Sequence, residues 1–278
     1  MITCNLMGGL GNQIFQIFAT IAYAIQTNST VRFKNVDRLG VRFTYWNSFF
    51  INLQPFLVNE FEQPLHALSE RGFDYHELPL ITSNQMNVLL YGYFQSYLYF
   101  EKHYPMIYQF LGIKKLKEQL FKDIDKTPEH FNNIISIHFR IGDYKNIQDC
   151  HPILPTQYYK NALNYIQMKN PETQFVIYYF CEEQDIFVVE SHIEKLSGEF
   201  PNYMFQRGNH LLADWQQMLL MSFCKHNIIA NSSFSWWSAY FNDNPDKIVC
   251  YPSIWFGPKL SDKNTKDLCP SEWKNITI

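Results

Sequence analysis

The chain has 278 residues, is 46% hydrophobic and carries a formal net charge of −3 at pH 7. A chain this long and this apolar is not disordered, and it is long enough to form two packed domains. Its slightly negative charge argues against nucleic acid as the main partner, because phosphate backbones are bound by clustered Lys and Arg side chains.

These features predict a cytoplasmic protein, and peripheral contact with a membrane stays open. The apolar stretch 14–25 is interrupted by polar residues and is too short to span a bilayer, so no transmembrane segment is expected. No Lys or Arg precedes Arg32, so the basic start of a secretory signal is missing. The six cysteines show neither C-x-x-C pairing nor zinc-ligand spacing, which favours reduced, buried thiols.

The N-terminus predicts the opening of a nucleotide-type α/β domain. An apolar strand runs into Gly8-Gly9-Leu10-Gly11, and a helix follows from Asn12. The helix has one apolar face, formed at spacings of four, three and four by Ile14, Phe18, Ile21 and Ile25. Because Ile14 replaces the third glycine, this is not the dinucleotide fingerprint. Gly9 and Gly11 are expected to let the backbone approach a ligand closely.

Residues 30–110 are rich in aromatic side chains without a clear period. Short helices are predicted there at 65–71 and 96–111, but no sheet. A charged helix follows at 114–125, and Thr127-Pro128 then indicates a boundary. The predicted domains are residues 1–130 and residues 131–278.

The second half alternates strands with helices and predicts a doubly wound parallel sheet. The predicted strands are 134–139, 174–181, 228–230 and 247–251, and the predicted helices are 155–169, 183–196 and 213–225. Ligands of such sheets bind beyond the carboxyl ends of the strands, so the loops there are candidate sites.

A hydroxyl-rich turn follows the strand at 228–230. It consists of Asn231, Ser232, Ser233, Phe234 and Ser235, and a helix opens at the Trp236-Trp237 pair. Hydroxyl groups and the free N–H groups of a helix N-terminus form a seat for a phosphate or diphosphate. The alternative is that Asn231 and the serines only cap the helix.

The strand at 134–139 ends in His138-Phe139-Arg140-Ile141-Gly142-Asp143. His138 and Arg140 alternate with apolar residues, so both are expected to project to one side of the strand end. A guanidinium there suits a diphosphate, because its fork binds two oxygens at once. An Arg140–Asp143 ion pair that stabilises the turn is the alternative.

Three aspartates elsewhere in the chain are candidate ligand residues. Asp214 opens a predicted helix, where it either accepts hydrogen bonds from a guanine ring or acts only as an N-cap. Asp123 and Asp125 match a D-x-D metal motif, but they follow no apolar strand, so a solvated surface explains them better. No metal and no cofactor are expected.

Together these segments resemble the α-1,2-fucosyltransferases. The matching motifs occur in the family's order and are Gly8-Gly-Leu-Gly-Asn-Gln13, Gly92-Tyr-Phe-Gln-Ser96, His138-x-Arg140-x-Gly-Asp-Tyr144 and Asn231-Ser-Ser-Phe-Ser-Trp-Trp237. The resemblance implies a GT-B-like α/β fold, with two Rossmann-like domains facing a cleft, and metal-independent inverting transfer. The donor would be GDP-β-L-fucose, and the acceptor a hydroxyl of an oligosaccharide or glycolipid, with O-2 of galactose preferred.

The resemblance also implies roles for individual residues. The first domain would face the acceptor and the second would bind the donor. In the donor domain, Arg140 would hold the diphosphate, His138 and the turn 231–235 would contact the donor, and Asp214 would read guanine. Asn12 resembles an asparagine that protein O-fucosyltransferases place near the reacting sugar. The family usually has a second arginine where this chain has Ile141, so Arg140 would neutralise the leaving group alone.

In the mechanism expected from this resemblance, the leaving phosphate gains negative charge and the acceptor hydroxyl loses a proton. Departure of GDP builds negative charge on its phosphate, which Arg140 would stabilise, and the acceptor hydroxyl loses a proton late in the step. Asp143 and Asp149 are the candidate bases. A protein O-fucosyltransferase and a catalytically silent sugar-nucleotide or glycan-binding protein are the alternatives. The glycine motif and the Trp pair disfavour the first, and retention of Arg140 and the serines disfavours the second.

Overall fold

A computed structural model describes residues 1–81 and 86–278. The chain forms two compact units. The N-terminal unit comprises Met1–Gln119 and Lys263–Pro270, and the C-terminal unit comprises Leu120–Asp262 and Ser271–Ile278. The polypeptide therefore passes between the units three times. None of the helices in the two described ranges is long and apolar enough to cross a membrane.

The N-terminal unit is built on a three-stranded parallel sheet. The elements of this part of the chain are β1 (Ile2–Cys4), α1 (Leu10–Gln26), β2 (Phe33–Lys34), β3 (Arg38–Leu39), β4 (Arg42–Phe43), β5 (Leu57–Val58), β6 (Leu65–Ser69), β7 (Asn87–Tyr91), α2 (Tyr104–Phe110) and α3 (Ile113–Asp123). The sheet has the order β1-β7-β6. Two smaller ladders pair β2 with β5 in parallel and β3 with β4 in antiparallel.

Helix α1 is the main packing element of this unit. Three residues of its predicted apolar face, Ile14, Phe18 and Ile21, are buried, and Ile25 is half-buried. Phe15 and Phe18 contact the ring of Phe100 at centroid distances of 6.0 and 5.3 Å. The helix begins at Leu10, two residues earlier than predicted, with Gly9 as its N-cap. This early start places Asn12 inside the first helical turn.

The helix predicted at 65–71 is wrong, because Leu65–Ser69 forms the strand β6. This segment pairs in parallel with β7 over its whole length, and it lies at the edge of the sheet with three exposed residues. Pairing with a buried neighbour overrode its weak local pattern. The helix predicted at 96–111 is only partly present. It consists of two short 3₁₀ turns followed by α2.

The C-terminal unit contains a six-stranded parallel sheet. Its elements in chain order are β8 (Ile134–His138), α4 (Thr156–Lys169), β9 (Val176–Phe180), α5 (Ile186–Glu199), β10 (Met204–Arg207), α6 (Asp214–Met221), β11 (His226–Ile228), α7 (Ser233–Tyr240), β12 (Val249–Pro252) and β13 (Lys274–Ile276). The strand order is β10-β9-β8-β11-β12-β13. If the six strands are numbered in chain order from β8 as the first, their order across the sheet is 3-2-1-4-5-6, which is the Rossmann order.

The core of this unit packs β8 and β9 against two helices. Ile135, Ile137 and Ile177 contact a layer that α4 and α5 supply, including Tyr158 and Val189, all of them buried. Apolar strands covered by helices are typical of parallel sheets. The α/β class with parallel sheets is therefore confirmed, and the GT-B arrangement of the two domains stays a prediction.

All four strands predicted in the second half are present, with ends that differ by at most two residues. Strands β10 and β13 were not predicted. They are short, and the exposed–half-buried alternation of β10 gives a weak apolar signal. All six cysteines are free thiols, as their spacing predicted, and burial raises the pKa of Cys4 and Cys250 to about 12.

Candidate active site

The strand order of the C-terminal unit reverses between β8 and β11. The crevice at such a switch point is where ligands of doubly wound sheets bind. The loop after β8 carries Arg140, and the loop after β11 carries the turn 231–235. The two loops touch, because the Tyr144 hydroxyl donates to the Asn231 carbonyl at 3.0 Å and the rings of His138 and Phe234 lie 5.5 Å apart. Two of the motifs singled out in the sequence are thus brought together.

Arg140 lies at the end of β8 with 18% of its side chain exposed. Its two terminal nitrogens donate to separate carboxylates, those of Asp143 and Glu182, and the guanidinium lies 4.9 Å from the centre of the Tyr144 ring. The predicted Arg140–Asp143 pair is therefore present, and Glu182 is a partner that the sequence did not reveal. Because a guanidinium has five N–H donors, these two bonds do not exhaust its capacity to bind an anion.

Ile141 occupies the position at which α-1,2-fucosyltransferases usually have a second arginine. Its side chain is buried and belongs to the core cluster of the sheet. The nearest downstream cation in the turn, Lys145, is bound by the carboxylate of Asp185 at 2.6 Å. Arg140 is therefore the side chain of this turn that combines a permanent charge with a position at the strand end.

His138 is buried below the turn, and it is neutral. Burial lowers the pKa of its ring to about 3, and the charge of Arg140 acts in the same direction. Its Nδ1 atom is buried without a hydrogen-bond partner. A neutral ring packed against Phe234 can contact a donor by shape or by one hydrogen bond, but it does not supply a positive charge to a phosphate.

The shifted pKa of His138 predicts that stability falls as the pH is lowered from about 6.5 towards about 3. In this window the unfolded chain binds a proton that the folded chain excludes, so acid favours unfolding by up to ~1.4 kcal/mol per pH unit. Urea denaturation at several pH values should show this slope. In His138→Gln the slope should be smaller across the same window, and an unchanged slope would contradict the shift.

The polar groups of the turn 231–235 are largely engaged within the protein. Ser232 is the N-cap of α7 and accepts the N–H of Phe234 at 3.3 Å. Ser235 bonds both backbone groups of Ala230, and the Asn231 amide donates to the carbonyls of Pro152 and Trp255. The capping alternative thus explains Ser232, and the remaining groups fix the shape of the turn. A fixed turn at a helix N-terminus presents backbone N–H groups to an anion, so the phosphate interpretation stays a prediction.

Asp214 is exposed and is the first residue of α6, so it is not the N-cap as the simpler interpretation held. Its Oδ1 atom accepts the N–H of Trp215 at 2.7 Å, while the Gln216 side chain accepts the N–H of Ala213. Helix α6 follows β10, whose neighbour in the sheet is β9. The contact of Asp214 with guanine stays a prediction.

In the N-terminal unit, a second set of motif residues converges on Asn12. Its Oδ1 atom accepts a hydrogen bond from Gln95 at 2.9 Å, so the glycine motif meets the 92–96 motif. Gly8 has a φ of +76°, and a Cβ atom there would lie 2.4 Å from the Asn12 amide nitrogen. Gly9 has an ordinary φ of −81° and open space around it, and Gly11 is buried inside α1. The close approach in this loop is therefore made at Gly8, a residue that the sequence did not single out.

The remaining acidic candidates differ in their surroundings. Asp123 and Asp125 are both exposed at the end of α3, as the surface interpretation predicted. Asp149, one of the two candidate bases, pairs with Lys259 at 3.2 Å on the surface. In residues 1–81 and 86–278, no three His, Cys, Asp or Glu side chains are grouped as metal ligands would be.

Comparison with known proteins identifies the family. The profile of glycosyl transferase family 11 matches residues 1–276. An α-1,2-colitosyltransferase from Escherichia coli is 27% identical over 301 aligned positions, which cover 99% of both chains. The O-antigen biosynthesis glycosyltransferase WbnK, also from Escherichia coli, is 28% identical over 326 positions that cover 99% of this chain and all of the relative. The chain therefore belongs to glycosyl transferase family 11 and is a glycosyltransferase.

Proposed function

We propose that this glycosyltransferase transfers L-fucose from GDP-β-L-fucose to a hydroxyl of a glycan, with inversion at the anomeric carbon and without a metal. The observation that carries the proposal is the position of Arg140. It lies at the end of β8, at the switch point of a Rossmann-ordered sheet, next to the loop that caps α7. A fixed cation beside a helix N-terminus suits a diphosphate leaving group.

The chemistry follows from where charge develops. As the bond from the sugar to the diphosphate breaks, positive charge spreads over the anomeric carbon and ring oxygen of the sugar, and negative charge collects on the phosphate. A guanidinium held in place by Asp143 and Glu182 needs little rearrangement to meet that charge. Such a preorganised donor typically contributes ~3–4 kcal/mol to the transition state.

The acceptor hydroxyl attacks from the opposite face and loses its proton late in the step. We propose Asp143 as the base. Both candidates are ion-paired, Asp143 with Arg140 and Asp149 with Lys259, but of the two it is Asp143 that lies in the turn at the carboxyl end of β8. Asn12, whose side chain is held by Gln95, is proposed to contact the reacting sugar.

The acceptor is proposed to be the O-2 hydroxyl of a terminal galactose in an oligosaccharide or glycolipid, which is consistent with a cytoplasmic protein. The name of the O-antigen biosynthesis glycosyltransferase supports a glycan acceptor over a protein acceptor, and the name of the colitosyltransferase specifies an α-1,2 linkage. The same name supports a second candidate donor. Colitose is L-fucose without its 3-hydroxyl group, so GDP-linked colitose belongs beside GDP-fucose in any assay.

The nucleotide is the first property to test. GDP should raise the melting temperature at concentrations at which UDP and ADP do not, because Asp214 is proposed to read the guanine ring. Turnover of GDP-fucose should be nearly unchanged by EDTA. A loss of activity on chelation that manganese restores would contradict metal-free transfer, and equal stabilisation by all three nucleotides would contradict guanine recognition.

The acceptor is then found with a panel of galactose-, xylose- and rhamnose-terminated glycans, each offered with both donors. Formation of an α-1,2-linked product on galactose, shown by NMR of the purified glycan, is the expected result. Transfer to a folded protein domain but to none of the glycans would favour a protein O-fucosyltransferase.

A further inference from the structure

Asp185 is a buried aspartate whose carboxylate does not serve its own helix. It is the N-cap residue of α5, a position at which aspartate ordinarily accepts an N–H group of the following turn. No such hydrogen bond is present, although the side chain is 0% exposed. One carboxylate oxygen accepts the backbone N–H of Gly142 at 2.6 Å, and the other pairs with Lys145 at 2.6 Å.

Both partners belong to the turn that follows β8. Gly142 and Lys145 flank Asp143, and Arg140 lies two residues before the first of them. The turn also lies directly against the segment that leads into α5, because a Cβ atom on Gly142 would lie 2.7 Å from the Oε1 atom of Glu182. Gly142 has a φ of +29°, in the range that favours glycine. The backbone of the turn is therefore fixed from one side by the segment 182–185.

A buried carboxylate is costly unless hydrogen bonds and an opposite charge compensate it. A neutral capping serine would stabilise the start of α5 without the free-energy cost of burying a charge. The bonds to Gly142 and Lys145 account for a charged residue at this position, since together they fix both ends of the segment that contains Asp143.

We propose that Asp185 is a positioning residue for the transfer reaction, acting through the turn 140–145 on Arg140 and Asp143. The inference rests on the proposed function of that turn. Asp185 contacts neither reacting group. It holds the Gly142 amide, and through it the strand end, in the geometry in which the Arg140 guanidinium meets the leaving phosphate.

The decisive variant is Asp185→Ser. Asp185 makes no capping hydrogen bond that would be lost, and serine is favoured at helix N-termini, so α5 is preserved. The shorter serine side chain does not reach both partners in the turn. We expect kcat to fall ~30- to 100-fold with a small change in donor KM, because displacement of a catalytic group by about 1 Å costs on that order. Asp185→Asn keeps an acceptor for Gly142 and should retain activity within about 5-fold of the wild type, a partial rescue. If Asp185→Ser, like Asp185→Asn, lowers kcat by less than about 5-fold, the inference is wrong.

A matched control separates positioning from stability. Val189 is fully buried in the same helix, one turn further on, and its side chain has no polar group that could hold the backbone of the turn 140–145 as Asp185 does. Val189→Ala should lower the melting temperature and leave kcat within about 2-fold at a temperature where the variant is folded. An equal loss of kcat in Val189→Ala would show that Asp185 only stabilises α5.

A double-mutant cycle tests whether Asp185 acts through Arg140. In an Arg140→Lys background, Asp185→Ser should lower kcat by less than about a further 3-fold, because the group that Asp185 positions is already impaired. Fully multiplicative losses would overturn the inference.

Hydrogen exchange at the Gly142 amide gives a measurement that does not depend on the donor. The amide should be protected in the wild type and should exchange much faster in Asp185→Ser. If the wild type turns over neither GDP-fucose nor GDP-linked colitose, the proposed function fails while this amide result can still stand. If the wild type is active and Gly142 exchange is unchanged in Asp185→Ser, the positioning inference fails and the proposed function does not.

Discussion

Arg140→Lys is expected to lower kcat/KM by at least ~100-fold without unfolding the protein. Lysine keeps the positive charge but loses the planar fork that binds two oxygens at once. The neighbouring position offers no substitute, because Ile141 is buried in the core. Steady-state kinetics with GDP-fucose, together with a thermal melt of each variant, measures both parts of this expectation.

Arg207 supplies a matched control. It also lies at the end of a parallel strand, β10, it is 19% exposed against 18% for Arg140, and it pairs with one carboxylate, that of Glu183. Arg207→Lys should change kcat/KM by less than about 3-fold, as expected for an exposed ion pair. If Arg140 serves only as an ion-pair partner, Arg140→Lys and Asp143→Asn should lose stability alike, with activity lost only in proportion. That pattern would contradict a catalytic role.

Gly8→Ala is expected to reduce the free energy of unfolding by roughly 2–4 kcal/mol and to lower activity as well. A left-handed φ costs a side chain about 1–2 kcal/mol, and the new methyl group would overlap the Asn12 amide at 2.4 Å. Asn12 must then move, which breaks its hydrogen bond to Gln95. Urea denaturation and kinetics with GDP-fucose measure the two effects.

The neighbouring glycine provides the comparison. Gly9→Ala adds a methyl group in open space at an ordinary φ, so it should cost no more than about 1 kcal/mol, the usual penalty for alanine at an N-cap. A large loss of activity in Gly9→Ala at nearly normal stability would support the predicted approach of a ligand to this glycine. Equal stability losses in both variants would contradict the special position of Gly8.

The fold of the second half could be predicted because apolar runs alternate with amphipathic segments, and this pattern requires a parallel sheet. Strand β11 shows where the pattern fails. It begins at His226, two residues before the predicted start, because two polar residues open it. Asn227 is fully buried there and donates to Ser136 at 2.7 Å and to the carbonyl of Met221 at 2.8 Å. The sequence around a buried polar strand residue does not show that a hydrogen-bond partner 91 residues away will satisfy it.

The candidate site was predicted unevenly for a related reason. Arg140 and His138 follow from alternation along a single strand, which the sequence displays. Glu182 and Asp185 contact that strand end only because β9 lies beside β8, and the order of strands in a sheet is not written in any local pattern. The sequence does not distinguish Gly8 from Gly9 and Gly11, because the three glycines stand close together and differ only in their backbone angles and surroundings.

The three passages of the chain between the units determine what proteolytic cleavage and gene truncation would produce. Residues 263–270 fold with the N-terminal unit, where the Ser96 hydroxyl donates to the Asp267 carbonyl at 2.6 Å and the Asp267 carboxylate accepts the N–H of Tyr75 at 3.2 Å. A protease that cuts once near residue 120 would therefore leave two fragments held together without a covalent bond. Neither unit is a contiguous stretch of sequence, so a gene fragment cut at one point encodes neither of them. Separate production of the C-terminal unit requires a linker in place of residues 263–270.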